Sequence, residues 1–233
     1  GRRQTLARFP SGDPLSPLLR NFSFIEGADE RVYPDGTDIT ARPPLPHREL
    51  YLSDEFFSRN RWKKPEEAVI HIFPKENWNA LQFRIKAIDY DRKAIRLGEG
   101  GFQQHERWAA RPGTMLDRTS RFYIENVFEE LDSPGEWYFD RDEQRLYFYP
   151  PEDCDLDRAV FEVPVLRELV VLRGTRSEPL TGVSFRGIRF TGTVTTFLDP
   201  REVTSFGDWS IVRSGTLLLE NTENCRVEDC FFD

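Results

Sequence analysis

Leu81, Phe83, Ile85 and Ala87 alternate with Gln82, Arg84 and Lys86, a period of two that predicts a half-buried strand. The apolar run Ala68–Phe73, closed by Pro74, predicts another, and Asp89–Lys93 turns the chain into a partner strand at Ala94–Leu97. Trp137–Asp140 and Arg145–Tyr149 read as a hairpin around Arg141–Gln144, ended by Pro150-Pro151. The period changes between them. Ile124, Val127, Phe128 and Leu131 fall at i, i+3, i+4 and i+7, which predicts a helix near 120–131, stopped by Asp132-Ser133-Pro134-Gly135. Seven prolines punctuate residues 10–64, which predicts extended segments and ordered loops with a short helix around Ser53–Arg59. Gly98–Gly101 reads as a flexible break, without the GxGxxG or GxxxxGK spacing that cradles phosphate.

The last seventy residues repeat themselves. Leu169–Leu172 and Val183–Phe190 return about forty residues later as Leu217–Leu219 and Arg226–Phe232. Aligning Phe185 with Val227 also matches Gly187 with Asp229, Ile188 with Cys230 and Phe190 with Phe232. Short strands joined by sharp corners at a fixed period predict a solenoid, most naturally the first coils of a right-handed parallel β-helix. Two coils are few for a stable solenoid, and the chain ends within a strand pattern, so it is expected to be a piece of something longer. The fold class expected is mainly β: residues 1–165 form a β-rich, sandwich- or barrel-like domain with one short helix, and 166–233 a partial β-helix. Thr193–Gly215 would be a loop thrown out from one coil.

Composition narrows the function. At roughly 150 residues per domain, 233 residues make one large unit or two small ones. Aromatic residues are 13% of the chain, which argues against disorder and for an aromatic core. A net charge of −8 speaks against nonspecific duplex binding through a basic face, so nucleic acid is not an expected partner. No run of about eighteen apolar residues is present to make a membrane-spanning helix. Cys154, Cys225 and Cys230 are odd in number and form no CxxC, so they set up no disulfide framework. His47, His71 and His105 lack HxxxH or HExxH spacing, so neither metal nor cofactor is expected. His71, inside an apolar run, reads as a packed core histidine.

Residues 121–140, from Arg121-Phe122-Tyr123-Ile124-Glu125-Asn126-Val127 to Pro134-Gly135-Glu136-Trp137-Tyr138-Phe139-Asp140, together with Leu146-Tyr147-Phe148-Tyr149-Pro150-Pro151, resemble a hallmark of secreted bacterial parallel β-helix proteins that degrade polysaccharides. They are most similar to family 141 of the glycoside hydrolases. Gln4–Pro10 and Trp209–Glu220 resemble further parts of the same proteins, while residues 11–64 carry little likeness. The resemblance implies fucosidase or xylanase activity on plant or host polysaccharide, a secreted or periplasmic location, and a β-rich domain inserted near the start of the solenoid. It also implies an active site on coils following Asp233, so the chain alone is expected to be inactive.

Glycoside hydrolysis uses two carboxyl groups, about 5–5.5 Å apart for retention and about 6.5–9.5 Å for inversion. Among coil-borne carboxylates Asp233, at the end of the last strand pattern, is the first candidate and Glu220 the second. Asp229 reads as a corner residue and Glu228 as solvated. Trp209 with Asp208 could form a sugar subsite, the indole stacking on a pyranose while the carboxylate accepts hydroxyl hydrogen bonds. The Trp137–Tyr149 hairpin is the densest aromatic stretch, read as strand packing or as a sugar-stacking platform. Two other classes stay open: a noncatalytic carbohydrate-binding or adhesin-like module, and a polysaccharide lyase, whose uronate substrate suits an acidic chain poorly.

Overall fold

In a computed structural model the residues described are 3–12, 21–28, 49–74, 80–101, 116–196, 199, 202–203 and 210–232. They separate into two compact units, Gly1–Asp157 with Pro200–Ser210, and Arg158–Asp199 with Ile211–Asp233.

The first unit is built on an antiparallel sheet in the order Arg8–Phe9, Arg121–Glu125, Val69–Phe73, Leu81–Asp89, Ala94–Gly100, Glu49–Tyr51, Gly27–Ala28. The segment before the last of these does double duty. Ser23–Phe24 pairs with Arg121–Glu125, and Gly27–Ala28 with Glu49–Tyr51, so one short segment touches both ends of the sheet. Its ladder switches partner between Ile25 N, which donates to Ser120 O, and Glu26 N, which donates to Tyr51 O. No closed barrel forms among the described residues, a correction to the barrel-like expectation: two-residue strands on either side of that switch are too short to continue one ladder around the sheet.

Period two decides which face is buried. On Arg121–Glu125 the side chains of Phe122 and Ile124 are buried, and on Val69–Phe73 those of Ile70 and Ile72. Leu81, Phe83 and Ile85 join them from the next strand. The helix Asp54–Arg59 seals this core with Phe56 and Phe57. Ser53 caps it, its Oγ accepting from Phe56 N at 3.2 Å, and Asp54 and Glu55 sit in the first turn where the helix dipole favours negative charge. The Phe56 ring meets Phe9, Phe57 and Trp62 edge-on at centroid distances of 5.1, 5.0 and 5.4 Å. Burying one such ring contributes up to about 3 kcal/mol.

Two sequence readings are corrected here. Residues 120–131 are not a helix: Arg121–Glu125 is a strand, and Phe128–Glu130 a single 3₁₀ turn. Alternation of Phe122 and Ile124 against Arg121, Tyr123 and Glu125 wins over the 3.6-residue spacing, because β-branched and aromatic side chains favour the pleated surface. Asn126, at φ 64, then ends the strand in a conformation no helix contains. Gly98–Gly100 is strand, not a flexible break. Gly100 is required there, because a Cβ would stand 2.1 Å from Gln82 O. The expected short helix near residues 53–59, the Leu81–Leu97 strand pair and the Trp137–Tyr149 hairpin all form. The hairpin joins Thr5–Leu6 in a separate three-stranded sheet.

In the second unit Val170–Arg173, Leu180–Thr181, Ser184–Arg186 and Arg189–Phe190 pair in parallel, in that order, with Leu217–Glu220, Thr222–Glu223, Arg226–Glu228 and Phe231–Phe232. Phe185 lies against Val227 and Phe190 against Phe232, the register read from the repeat. Gly187 and Asp229 occupy equivalent corners at φ 66 and φ 53. The left-handed backbone there is the reason for a glycine in one layer and a short polar residue in the next.

Candidate functional site

The Glu136–Asp140 and Arg145–Phe148 strands place Tyr138 directly opposite Tyr147. The chain between them is turned by Asp140, whose Oδ1 accepts from the backbone of Asp142 and Glu143 at 2.9 and 3.0 Å. Lys64 Nζ donates to both oxygens of Asp140, at 3.0 and 3.1 Å, and to Asp142 Oδ2 at 2.7 Å. The Glu143 N–H and the Lys64 ammonium hold the Asp140 carboxyl below its ordinary range, and the two carboxylates push the Lys64 ammonium above its own. Tyr138 Oη donates to Glu67 Oε2 at 2.5 Å, and burial with that carboxylate raises the phenol well above its usual value.

A third ring completes the group. Phe128 stands edge-on to Tyr147 at 4.9 Å and to Tyr138 at 5.4 Å, yet is 42% exposed. Its direction is set by the 3₁₀ turn that carries it. Val127 and Glu130 point inward, at 3% and 8% exposure, and force Phe128 and Glu129 outward. Glu130 Oε1 accepts from Trp62 Nε1 at 2.7 Å, and Glu129 Oε1 from Lys63 N at 3.1 Å, so the turn is tied down at both acids. Burial raises the Glu130 carboxyl above its ordinary range. Tyr147 is held from its hydroxyl, which donates to Glu143 Oε2 at 3.0 Å and lies 3.4 Å from Arg145 Nη1. Tyr138 is buried at 2% exposure, so only Phe128 and the half-buried Tyr147 of this group reach the surface, beside ion-paired groups.

A second polar cluster lies on the face of the large sheet opposite the core. His71 stacks on Tyr123 at 4.3 Å, its Nε2 is 3.0 Å from Glu125 Oε1, and its Nδ1 is 3.2 Å from the Gln82 amide nitrogen. Arg8, fully buried, sits over the Tyr123 ring at 4.1 Å from its centroid and donates to Asn21 O at 2.8 Å. Burial pulls the guanidinium below its ordinary range and the Tyr123 phenol above its own. Glu136, likewise buried and raised by burial, clamps the preceding turn by accepting from Asp132 N and Ser133 N, each at 3.1 Å. These buried groups are tied into the fold, in keeping with His71 as a packed histidine.

Of the candidates read from sequence, Asp233, Trp209 and Asp208 lie outside the described residues. Glu220 ends the Leu217–Glu220 strand, half exposed, and its Oε2 accepts from Arg173 Nε at 2.6 Å across the parallel pair. Asp229 faces Arg186 at 3.4 Å and Glu228 is exposed. No second candidate carboxylate is brought to Glu220 among the described residues. No group of three or more His, Cys, Asp or Glu is arranged to hold a metal ion among them either, and the three cysteines are free thiols. Sequence reasoning singled out the hairpin but missed Phe128 and Lys64 as its neighbours. Phe128 was hidden by the helical spacing it happens to share, and Lys64 by 76 residues of separation from Asp140.

Comparison with known proteins fits this arrangement. No curated protein matches the chain. A solved structure titled "Glycoside hydrolase" superposes with a TM-score of 0.56 over 83% of this chain, at 22% identity, a likeness of fold. The chain spans about 30% of the length of that protein. Residues 55–151, which include the helix, the core strands, the Phe128 turn and the aromatic hairpin, match the family described as the GH141 insertion domain.

Proposed function

We propose that this chain is part of a secreted bacterial glycoside hydrolase of right-handed parallel β-helix type, acting on a polysaccharide. Residues 55–151 are its inserted domain, and the four parallel strand pairs are its first coils. The observation that carries this reading is the combination, in one chain, of a segment similar to the GH141 insertion domain with parallel pairs in which Phe185 meets Val227 and Phe190 meets Phe232.

The coil geometry suits the chemistry. Adjacent strands lie about 4.8 Å apart, so carboxylates at one position on neighbouring coils approach the separation of about 5–5.5 Å used for retention. Two coils apart they approach the upper end of the inverting range, about 6.5–9.5 Å. Asp233 is the first candidate for one member of such a pair. Glu220 is the second, with Arg173 orienting it. The partner carboxylate belongs to coils following Asp233, and the present chain is inactive alone. Trp209 and Asp208 remain the proposed subsite for a sugar ring.

The test is hydrolysis of aryl fucosides, aryl xylosides and plant glycans by a protein extended past Asp233. Turnover lost in Asp233→Asn supports the reading. Absence of turnover on every substrate overturns it, and products carrying a new ultraviolet-absorbing double bond redirect it to a lyase.

A further inference from the structure

We infer that residues 160–166 are a self-pairing strand, on which a second copy of this chain docks antiparallel about a two-fold axis at Val163.

The segment has the make-up of a strand and the exposure of a loop. Four of its seven residues, Val160, Phe161, Val163 and Val165, are β-branched or aromatic. Val160, Val163 and Val165 are nevertheless 85%, 73% and 79% exposed, and Phe161 and Leu166 at least half. Residues 159–165 run without turn or bend, and none has a positive φ. Among the described residues the segment joins no sheet until Leu166, which bridges in parallel to Thr193 and accepts from Val194 N at 2.9 Å. An extended apolar edge of this kind is a template for another strand.

Parity decides which side is open. Alternate residues of a strand direct their N–H and C=O groups to opposite sides. Leu166 directs its carbonyl toward Val194, so Val160, Glu162 and Pro164 share that side, and the N–H that proline lacks falls there. Phe161, Val163 and Val165 present the other side. Val163 and Val165 make no backbone hydrogen bond to a described residue.

The occupant follows from what a two-fold axis at Val163 brings together. Val163 meets itself, Phe161 meets Val165 and Val160 meets Leu166, apolar against apolar throughout. Glu162, the only charge in the segment, comes opposite Pro164. Two positions beyond each end, Arg158 of one copy comes opposite Glu168 of the other, so the flanking charges are complementary. An axis at Glu162 would instead set two carboxylates against each other and pair the side that lacks the Pro164 N–H. A second copy supplies every match, and such an isologous pair closes at two.

The experiment is sedimentation velocity of the 233-residue chain over a concentration series, with variants at Val163 and Val160. The parent should pass from monomer to dimer and stop there. Val163→Lys sets two like charges opposite each other on the axis and should weaken the dimer about tenfold. Val163 is exposed, so circular dichroism of V163K should overlay the parent. Val163→Cys reads the register, because only the residue on the axis faces its own copy, at a Cα separation of about 5.5 Å that a disulfide spans. Oxidised V163C should give a 163–163 cross-link in peptide mapping, and Val160→Cys no 160–160 cross-link. A chain monomeric at every concentration, a dimer that V163K leaves intact, or cross-linking by V160C equal to that by V163C each overturns the inference. None of these readouts depends on turnover, so the hydrolase reading stands or falls by its own assay.

Discussion

Phe190 and Phe232 stack nearly face to face, centroids 5.0 Å apart and planes 15° from parallel, although 42 residues separate them in the chain. Phe190 is 7% exposed beneath its partner, whereas Phe232, in the outer layer, is 46% exposed. One repeat position therefore has two different energies. Phe190→Ala is expected to destabilise the second unit by about 3–5 kcal/mol, and Phe232→Ala by no more than about half as much. Urea unfolding of the two variants measures the difference, and equal losses would contradict the stacking order.

The Gly187 corner separates backbone strain from crowding. A Cβ at Gly187 meets nothing within 4 Å, so Gly187→Ala should cost only the left-handed backbone term, about 1–2 kcal/mol. Asp229→Gly, at the equivalent φ of 53, should be neutral or slightly stabilising. Gly100→Ala should lose more than Gly187→Ala, because its Cβ runs into the Gln82 carbonyl. Denaturant midpoints should fall from Asp229→Gly through Gly187→Ala to Gly100→Ala.

Glu130 gives the first unit a pH signature. Burial raises its carboxyl above the unfolded value, so the folded state holds the proton more tightly than the unfolded one. Stability from this group is complete at acid pH and declines as pH rises from the unfolded value through the raised one. Glu130→Gln keeps an acceptor for Trp62 Nε1 without the buried charge. The variant should match the parent in acid and exceed it near neutrality. Tryptophan-monitored unfolding from pH 4 to 8 checks this, and a gap that widens in acid would refute it.

Glu220 and Arg173 form a half-exposed ion pair across two parallel strands. Such pairs contribute at most about 1 kcal/mol, and less in high salt. Glu220→Gln should therefore leave the melting temperature within a few degrees of the parent. Any loss of hydrolysis by that variant in an extended protein then reports on chemistry, not on folding.

How much of this was legible beforehand depended on the length scale of the signal. Leu81–Ala87 announced its strand by strict alternation, because that pattern is set within a few residues. The repeat was legible for a related reason: Phe185 with Val227 and Gly187 with Asp229 face the same inward or corner environment, so the same residue types recur. The Phe122–Leu131 stretch misled because Ile124, Val127 and Phe128 satisfy a helical spacing and a strand pattern together. Only neighbours could arbitrate. Ile124 pairs with Phe9 and with Ile70 in the sheet, which leaves Phe128 free to turn outward.

The sequence by itself determined a mainly β chain with an aromatic hairpin and a repeat whose register could be read residue by residue. It did so because periodicity, turn residues and corner residues are local demands of the backbone. Tertiary structure alone decided that Lys64 meets Asp140, that Trp62 caps the buried Glu130, that Glu220 is occupied by Arg173, and that Phe128 lies open beside Tyr147. Those outcomes depend on which distant strands become adjacent and which groups lose water, and no pattern along a chain specifies either.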